Sequence, residues 1–325
     1  MASLDTQLDA YLRDAHAIEQ QARSQMRAAP EMAVDLALAT AFRQHLAETE
    51  HHEQLIRDRL EARGVTPSWL KDAVFKAGGH AFVLFAASQP DTPGKLVSHA
   101  LAYEHLELAG YELLRRLAQL AGDETTVVVA AAIREDERAM AERLEASFDR
   151  AVEASLREVD RANLDEQLNK YLADAHAIEA QAIQLLERGP NLAGDAELAH
   201  VYEEHLDESH EHQRLVRERL EARGGSPSKL KDAAMRLGAL NWAAFFAAQP
   251  DTPAKLAVFA YAFEFLEVGG YEQLKRVARR AGDAETEALC QRIVATERDM
   301  ADRIWRKFDS ALDASLAAAP AAHAA

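Results

Sequence analysis

YLRDAHAIEQQA (Tyr11 to Ala22) and YLADAHAIEAQA (Tyr171 to Ala182) are one segment written twice in the same chain. Each sets apolar residues at helical spacing, Leu12, Ala15 and Ala22 in the first copy. In the middle of that line stands a carboxylate, Glu19, and at the matching place in the second copy Glu179. The segment predicts an amphipathic helix that carries an acid into its own buried face, in a domain that occurs twice.

The repetition extends in both directions at a constant offset of 160 residues. RLEARG recurs at Arg59 to Gly64 and Arg219 to Gly224, and QPDTP at Gln89 to Pro93 and Gln249 to Pro253. Roughly half of the aligned positions are identical, and a period this long means duplicated domains rather than a solenoid. The expected division is residues 1–159, residues 160–318 and an Ala-rich, disordered tail at 319–325. A chain of 325 residues fits two domains of about 150 residues each.

The composition favours helix. Apolar residues make up 48% of the chain and aromatic residues 6%, with Ala, Leu, Glu and Arg prominent. A net charge of −17 repels phosphate backbones, so nucleic acid is not an expected partner. The one cysteine, Cys290, excludes an intrachain disulfide and a thiolate zinc site, and reads as a small core filler because its twin is Ala130. The first residues lack the basic and apolar regions of a signal peptide, and no apolar run is long enough to span a bilayer. The expectation is a cytoplasmic protein without a membrane partner.

In one copy the pattern predicts four long helices. The first runs from about Leu4 to Ala28 and stops near Pro30. The second runs from about Met32 to Arg63, with Gly64 as C-terminal cap. The third spans about Pro93 to Leu120 behind an Asp91 or Thr92 cap, and the fourth continues past Gly122 to about Ser155. A long, partly helical connection holding Trp69, Phe75, Phe82 and Phe85 joins the second helix to the third. That connection marks the ferritin-like all-α bundle, here two in tandem. Its apolar FVLF run suggests a cover for the bundle or a homo-oligomer contact.

Each helix's apolar line is interrupted by an acid. The lines read Leu8, Leu12, Ala15, Glu19, Ala22, Met26; then Leu38, Ala41, His45, Glu48, His52, Leu55; then Leu96, Ala100, Tyr103, Glu107, Gly110, Leu114; then Ile133, Glu137, Met140, Leu144, Phe148. The second copy keeps Glu179, Glu208, Glu267 and Glu297, with His205 and His212. Helices of similar length bring their midpoints to one level, so four carboxylates converge. Together in an apolar core they need protons or cations. Carboxylates with imidazole favour iron or manganese. Glu104 and Glu264, one turn earlier on a neighbouring face, are either an extra ligand or surface charge. His16 and His176 are placed to hydrogen-bond a ligand, and Tyr111 and Tyr271 to do so or to pack. His51, matched by Glu211, reads as surface.

At these residues the chain resembles the YciF-type ferritin-like proteins, a bacterial stress-associated family with a rubrerythrin-like bundle. HLAETEHHEQL (His45 to Leu55) and HLDESHEHQRL (His205 to Leu215) resemble the family's second helix. IEQQ (Ile18 to Gln21) and IEAQ (Ile178 to Gln181) resemble the first, and YEHLELAGY (Tyr103 to Tyr111) the third. A short match surrounds Glu137 and Glu297. The resemblance implies a dimetal centre on Glu19, Glu48, His52, Glu107 and Glu137, and on Glu179, Glu208, His212, Glu267 and Glu297. It further implies a di-iron-type oxidoreductase in which ferroxidase, peroxide or oxygen chemistry takes place. The chain departs from the family in being double. It also lacks a histidine one turn past Glu137, where Met140 and Ala141 stand, so a single metal or an asymmetric pair using His45 also fits. The rival expectation is a metal-free scaffold or interaction module. A chain with one active and one degenerate bundle is disfavoured, because both copies keep the same Glu and His on these lines.

Overall fold

Asp35, Asp123, Asp195 and Asp283 each open a helix by accepting a backbone N–H three residues on. The computed structural model describes residues 3–67, 92–157, 159–160, 163–228 and 251–318. In the first copy these form α1 (Leu4–Met32), α2 (Leu36–Ala62), α3 (Thr92–Ala121), α4 (Glu124–Glu145) and α5 (Phe148–Ser155). In the second they form α6 (Leu164–Leu186), the single turn α7 (Gly189–Leu192), α8 (Ala196–Ala222), α9 (Thr252–Ala281), α10 (Ala284–Trp305) and α11 (Phe308–Ala318). No strand occurs among the described residues. The protein is all-α, and its chain divides into two compact units with the boundary after Arg157.

Ion pairs give the direction of each helix. Arg63, near the end of α2, reaches Asp9 near the start of α1 at 2.6 Å, while Arg23 reaches Glu53 at 3.4 Å. The two helices are antiparallel. Arg59 donates to Thr126 at 3.0 Å, and Arg143 to Glu48 at 3.1 Å, so α2 and α4 are antiparallel as well. The α3–α4 turn at Gly122 reverses the chain, which leaves α2 and α3 pointing the same way. Parallel second and third helices are the mark of a ferritin-like bundle with a crossover. In the second unit Arg223 reaches Asp165 at 2.7 Å and Arg303 reaches Glu208 at 2.6 Å, which repeats the plan.

RLEARG acquires a physical role here. Arg59 and Arg63 both bind Asp123, at 2.9 and 3.1 Å, and Asp123 is the cap of α4. Arg219 and Arg223 bind Asp283 in the same way, each at 2.6 Å. The motif ties the end of the second helix to the start of the fourth. Burial pushes both aspartates up, but hydrogen bonds from Thr126 and Thr286, and then the arginines Arg59 and Arg219, hold them below the usual carboxylate range.

Several sequence-based boundaries shift. α1 passes through Pro30 and ends at Met32. A proline in the last turn forfeits one hydrogen bond but has no further turn to kink. α2 starts four residues later than expected, because Ala33, Val34 and Asp35 form the turn, with Val34 at φ 60°. Its twin is Gly194, at φ 65°. The fourth helix breaks at Ala146 and Ser147, and again at Arg306 and Lys307, with no Gly or Pro to announce it. Phe148 and Phe308, each fully buried, start the following helices, so packing overrides propensity there. Asp251 precedes α9 without a side-chain cap; the Ala254 N–H goes instead to Ser315 of α11 at 2.9 Å. Gly94 uses Ser155 likewise at 2.8 Å. Cys290 and Ala130 are both buried, as a core filler requires. No helix among the described residues is long and apolar enough to cross a membrane. The Asp91 cap, the aromatic connection, its FVLF run and the Ala-rich tail lie outside the described residues.

Candidate metal centre

The buried line of α2 runs Leu38, Phe42, His45, Thr49, His52, Ile56, Leu60. It therefore passes one residue beside Ala41, Glu48 and Leu55. Both histidines point into the bundle, and Glu48 lies on the flank of the line, with a third of its side chain exposed. α3 is buried over most of its circumference between α1, α4 and α5. That width brings in Glu104 beside Glu107. α1 contributes Glu19 and α4 contributes Glu137.

Six side chains thus meet in the middle of the first bundle: Glu19, His45, His52, Glu104, Glu107 and Glu137, each at most 1% exposed. They form two overlapping groups. In one, His45, Glu104, Glu107 and Glu137 bring ligand atoms within 4.8 Å of one another; in the other, Glu19, His52 and Glu137 do so. Glu137 belongs to both. His45 Nε2 lies 3.1 Å from Glu104 and 3.4 Å from Glu137, and His52 Nδ1 lies 2.9 Å from Glu137 and 3.9 Å from Glu19. The second bundle repeats this arrangement. His205, Glu264, Glu267 and Glu297 form one group, and Glu179, His212 and Glu297 the other.

The remaining predicted residues do different work. Glu48 and Glu208 lie outside both groups. Each accepts from a histidine ring nitrogen, at 3.0 Å (His45 Nδ1) and 2.9 Å (His205 Nδ1), and is held by Arg143 or Arg303. With Nδ1–H donated to this carboxylate, the neutral ring keeps Nε2 bare and aimed at the cluster. His16 does not reach the cluster. Its Nε2 meets Glu53 at 2.9 Å, in a pocket of charge with Gln20, Arg23 and Arg57. In the second unit His176 offers its backbone carbonyl to Gln213, the residue matching Glu53. Tyr111 and Tyr271 do bind cluster carboxylates, donating to Glu19 and Glu179 respectively. His51 is exposed.

Electrostatics separates the cluster from the other buried acids. Glu112 is buried too, but Arg115, Arg116 and Arg134 surround it and hold its carboxyl low against the effect of burial. Among the described residues no Lys or Arg reaches the six. Burial raises Glu19 to about 8 with help from Glu137, and raises Glu137 to about 7 although His52 works against it. Burial, then Glu137 and Glu19, put Glu107 well above the carboxylate range. For His52 burial works downward, but Glu137, Glu19 and Asp136 carry it up to about 9. Eight nitrogen and oxygen atoms of the six side chains have no hydrogen-bond partner, and eight of their counterparts in the second bundle are in the same state. Buried polar atoms are rarely left so. Hard oxygens and imidazole nitrogens converging in this way could hold a metal ion.

Two contributors escaped the sequence reading. Arg143 and Arg303 are kept in both copies and left a signal there. Asp136, which meets His52 Nε2 at 3.2 Å, left none, because its twin is Thr296.

A protein-family profile described as "Domain of unknown function (DUF892)" matches residues 3–157 and again residues 163–317. The chain therefore belongs to this family, a member of the ferritin-like superfamily, and carries its domain twice. No solved structure matches the chain.

Proposed function

We propose that each unit of this duplicated DUF892 chain is a dimetal carboxylate centre for iron or manganese, of the kind found in YciF-type and rubrerythrin-like bundles. The observation that carries the reading is the set of buried donor atoms without hydrogen-bond partners, supplied by four carboxylates and two imidazoles per bundle. Four carboxylates carry four negative charges, which two divalent cations neutralise with both histidines uncharged. The lower site would use His45, Glu104 and Glu107, the upper site Glu19 and His52, with Glu137 common to both.

Bound iron or manganese would supply one-electron redox chemistry toward oxygen or peroxide. The chain's own residues prepare for it. Burial favours the protonated forms of Glu19, Glu107 and Glu137, and any proton they carry must leave when cations take its place. Tyr111 donates its hydroxyl to Glu19 Oε1 and fixes that carboxylate's free oxygen toward the centre. Glu48, clamped by Arg143, orients His45. Leu12, Ala22, Met26 and Met140, all buried, lie on the same helix faces as these acids.

A metal-free scaffold is the rival. His45 and His52 as imidazolium would offset two of the four charges, as their proximity to Glu104 and Glu137 allows. It still leaves Glu19 Oε2, Glu104 Oε1 and Glu107 Oε1 without a partner. The test is metal content by mass spectrometry on untagged protein purified without chelators, beside Glu137→Ala/Glu297→Ala. Iron or manganese present in the parent and lost in the variant supports the centre. A parent that stays metal-free after anaerobic Fe(II) loading overturns it and leaves the scaffold.

A further inference from the structure

The two bundles match at every cluster residue and differ just outside it. In the first, both imidazoles have an outer carboxylate: His45 Nδ1 meets Glu48 at 3.0 Å, and His52 Nε2 meets Asp136 at 3.2 Å. In the second, His205 keeps Glu208 at 2.9 Å. His212 still sets Nδ1 2.8 Å from Glu297, but among the described residues no carboxylate meets its other nitrogen. Thr296 stands where Asp136 would be, and its hydroxyl turns back to the Arg292 carbonyl of its own helix at 3.4 Å. A carboxylate on the far nitrogen of a ligating histidine fixes the tautomer and the ring plane and makes the near nitrogen a better donor.

A second difference points the same way. Tyr103 donates to the Ile18 carbonyl at 2.9 Å, beside Glu19, and ties α3 to the backbone that carries that acid. The matching residue is Phe263, which has no hydroxyl to give.

We propose that the two bundles are unequal metal sites: Asp136 positions His52, and the first bundle holds its divalent cations more tightly than the second. The inference rests on the metal reading of both clusters. Asp136 is half exposed, so its contribution lies at the low end of what such partners give, about tenfold in affinity.

The test uses the full chain with one bundle disabled at a time, Glu297→Ala to isolate the first and Glu137→Ala to isolate the second. Free Mn(II) is read by electron paramagnetic resonance during titration. The first bundle binds about tenfold more tightly than the second. Asp136→Thr in the first background removes the advantage, and Thr296→Asp in the second background restores it, a gain that misfolding does not produce. Equal affinities overturn the inequality, and no gain from Thr296→Asp overturns the role given to Asp136, both leaving the metal reading standing. No Mn(II) bound by either bundle overturns both.

Discussion

His45 and His52 are two turns apart on one helix, and each shows one ring nitrogen to the cluster and the other to an outer carboxylate. This division of labour predicts graded effects of substitution. Glu137 is common to both donor groups, so Glu137→Gln should abolish metal binding in the first bundle. Glu48 stands behind His45, so Glu48→Gln should weaken binding by about tenfold and leave the stoichiometry unchanged. Calorimetric titration in the Glu297→Ala background separates the two. Equal, complete loss from both variants would make Glu48 a ligand after all. The residues legible in the sequence were those on narrow buried faces. Glu19 and Glu137 interrupt lines that the structure buries almost as read, Ala15 being only half-buried. Glu48 misled because the apolar line of α2 was drawn one residue aside, through Ala41 and Leu55 instead of Phe42 and Ile56. Glu104 was ambiguous because a single line under-describes a helix that is buried on most sides.

The helices themselves were readable from periodicity and from their Asp and Gly punctuation; the interruption of the fourth was not. Ala146 and Ser147 carry no breaking signal, and the turn exists because Phe148 and Leu144 are both drawn into the core. Two stability predictions belong to these junctions. Asp123 caps α4 and receives Arg59 and Arg63, so Asp123→Ala should cost about 2 kcal/mol, the sum of a lost cap and two stranded partners. Chemical denaturation measures it; a change near zero would mean the clamp is ornamental. Val34 adopts a left-handed conformation that β-branched residues resist, whereas the matching Gly194 adopts it freely. Val34→Gly should therefore stabilise the first unit by about 1 kcal/mol. A destabilised variant would show that the Val34 side chain contributes more than its backbone strain costs.

Across the whole chain, two carboxylate-rich cores make stability depend on pH in an uncommon direction. Glu19, Glu137 and Glu107, with His52 and His45, all have folded values above their ordinary ones. Groups raised on folding contribute fully below their ordinary values, and that contribution drains away as pH climbs from there until it passes their folded values, about 7 for Glu137, about 8 for Glu19 and about 9 for His52. The paired acids Glu48, Glu112 and Asp123, held low, are ionised in both states over that range and do not offset the loss. Protein in chelator should accordingly lose thermal stability progressively from about pH 5 to about pH 9, and excess Mn(II) should flatten the decline. A melting temperature independent of pH in chelator would mean the clusters are not protonated as described. Duplication doubles this burden, and among the described residues no Lys or Arg meets either cluster, which is the strongest reason to look for a cation from outside.

The most direct measurement is an anomalous difference map from crystals loaded with iron or manganese and collected at that metal's absorption edge. The prediction is a pair of peaks in each bundle: one among His45, Glu104, Glu107 and Glu137, one among Glu19, His52 and Glu137, and their counterparts around Glu297. Peaks confined to the acidic surface, or none in loaded crystals, would contradict a metal centre in these bundles.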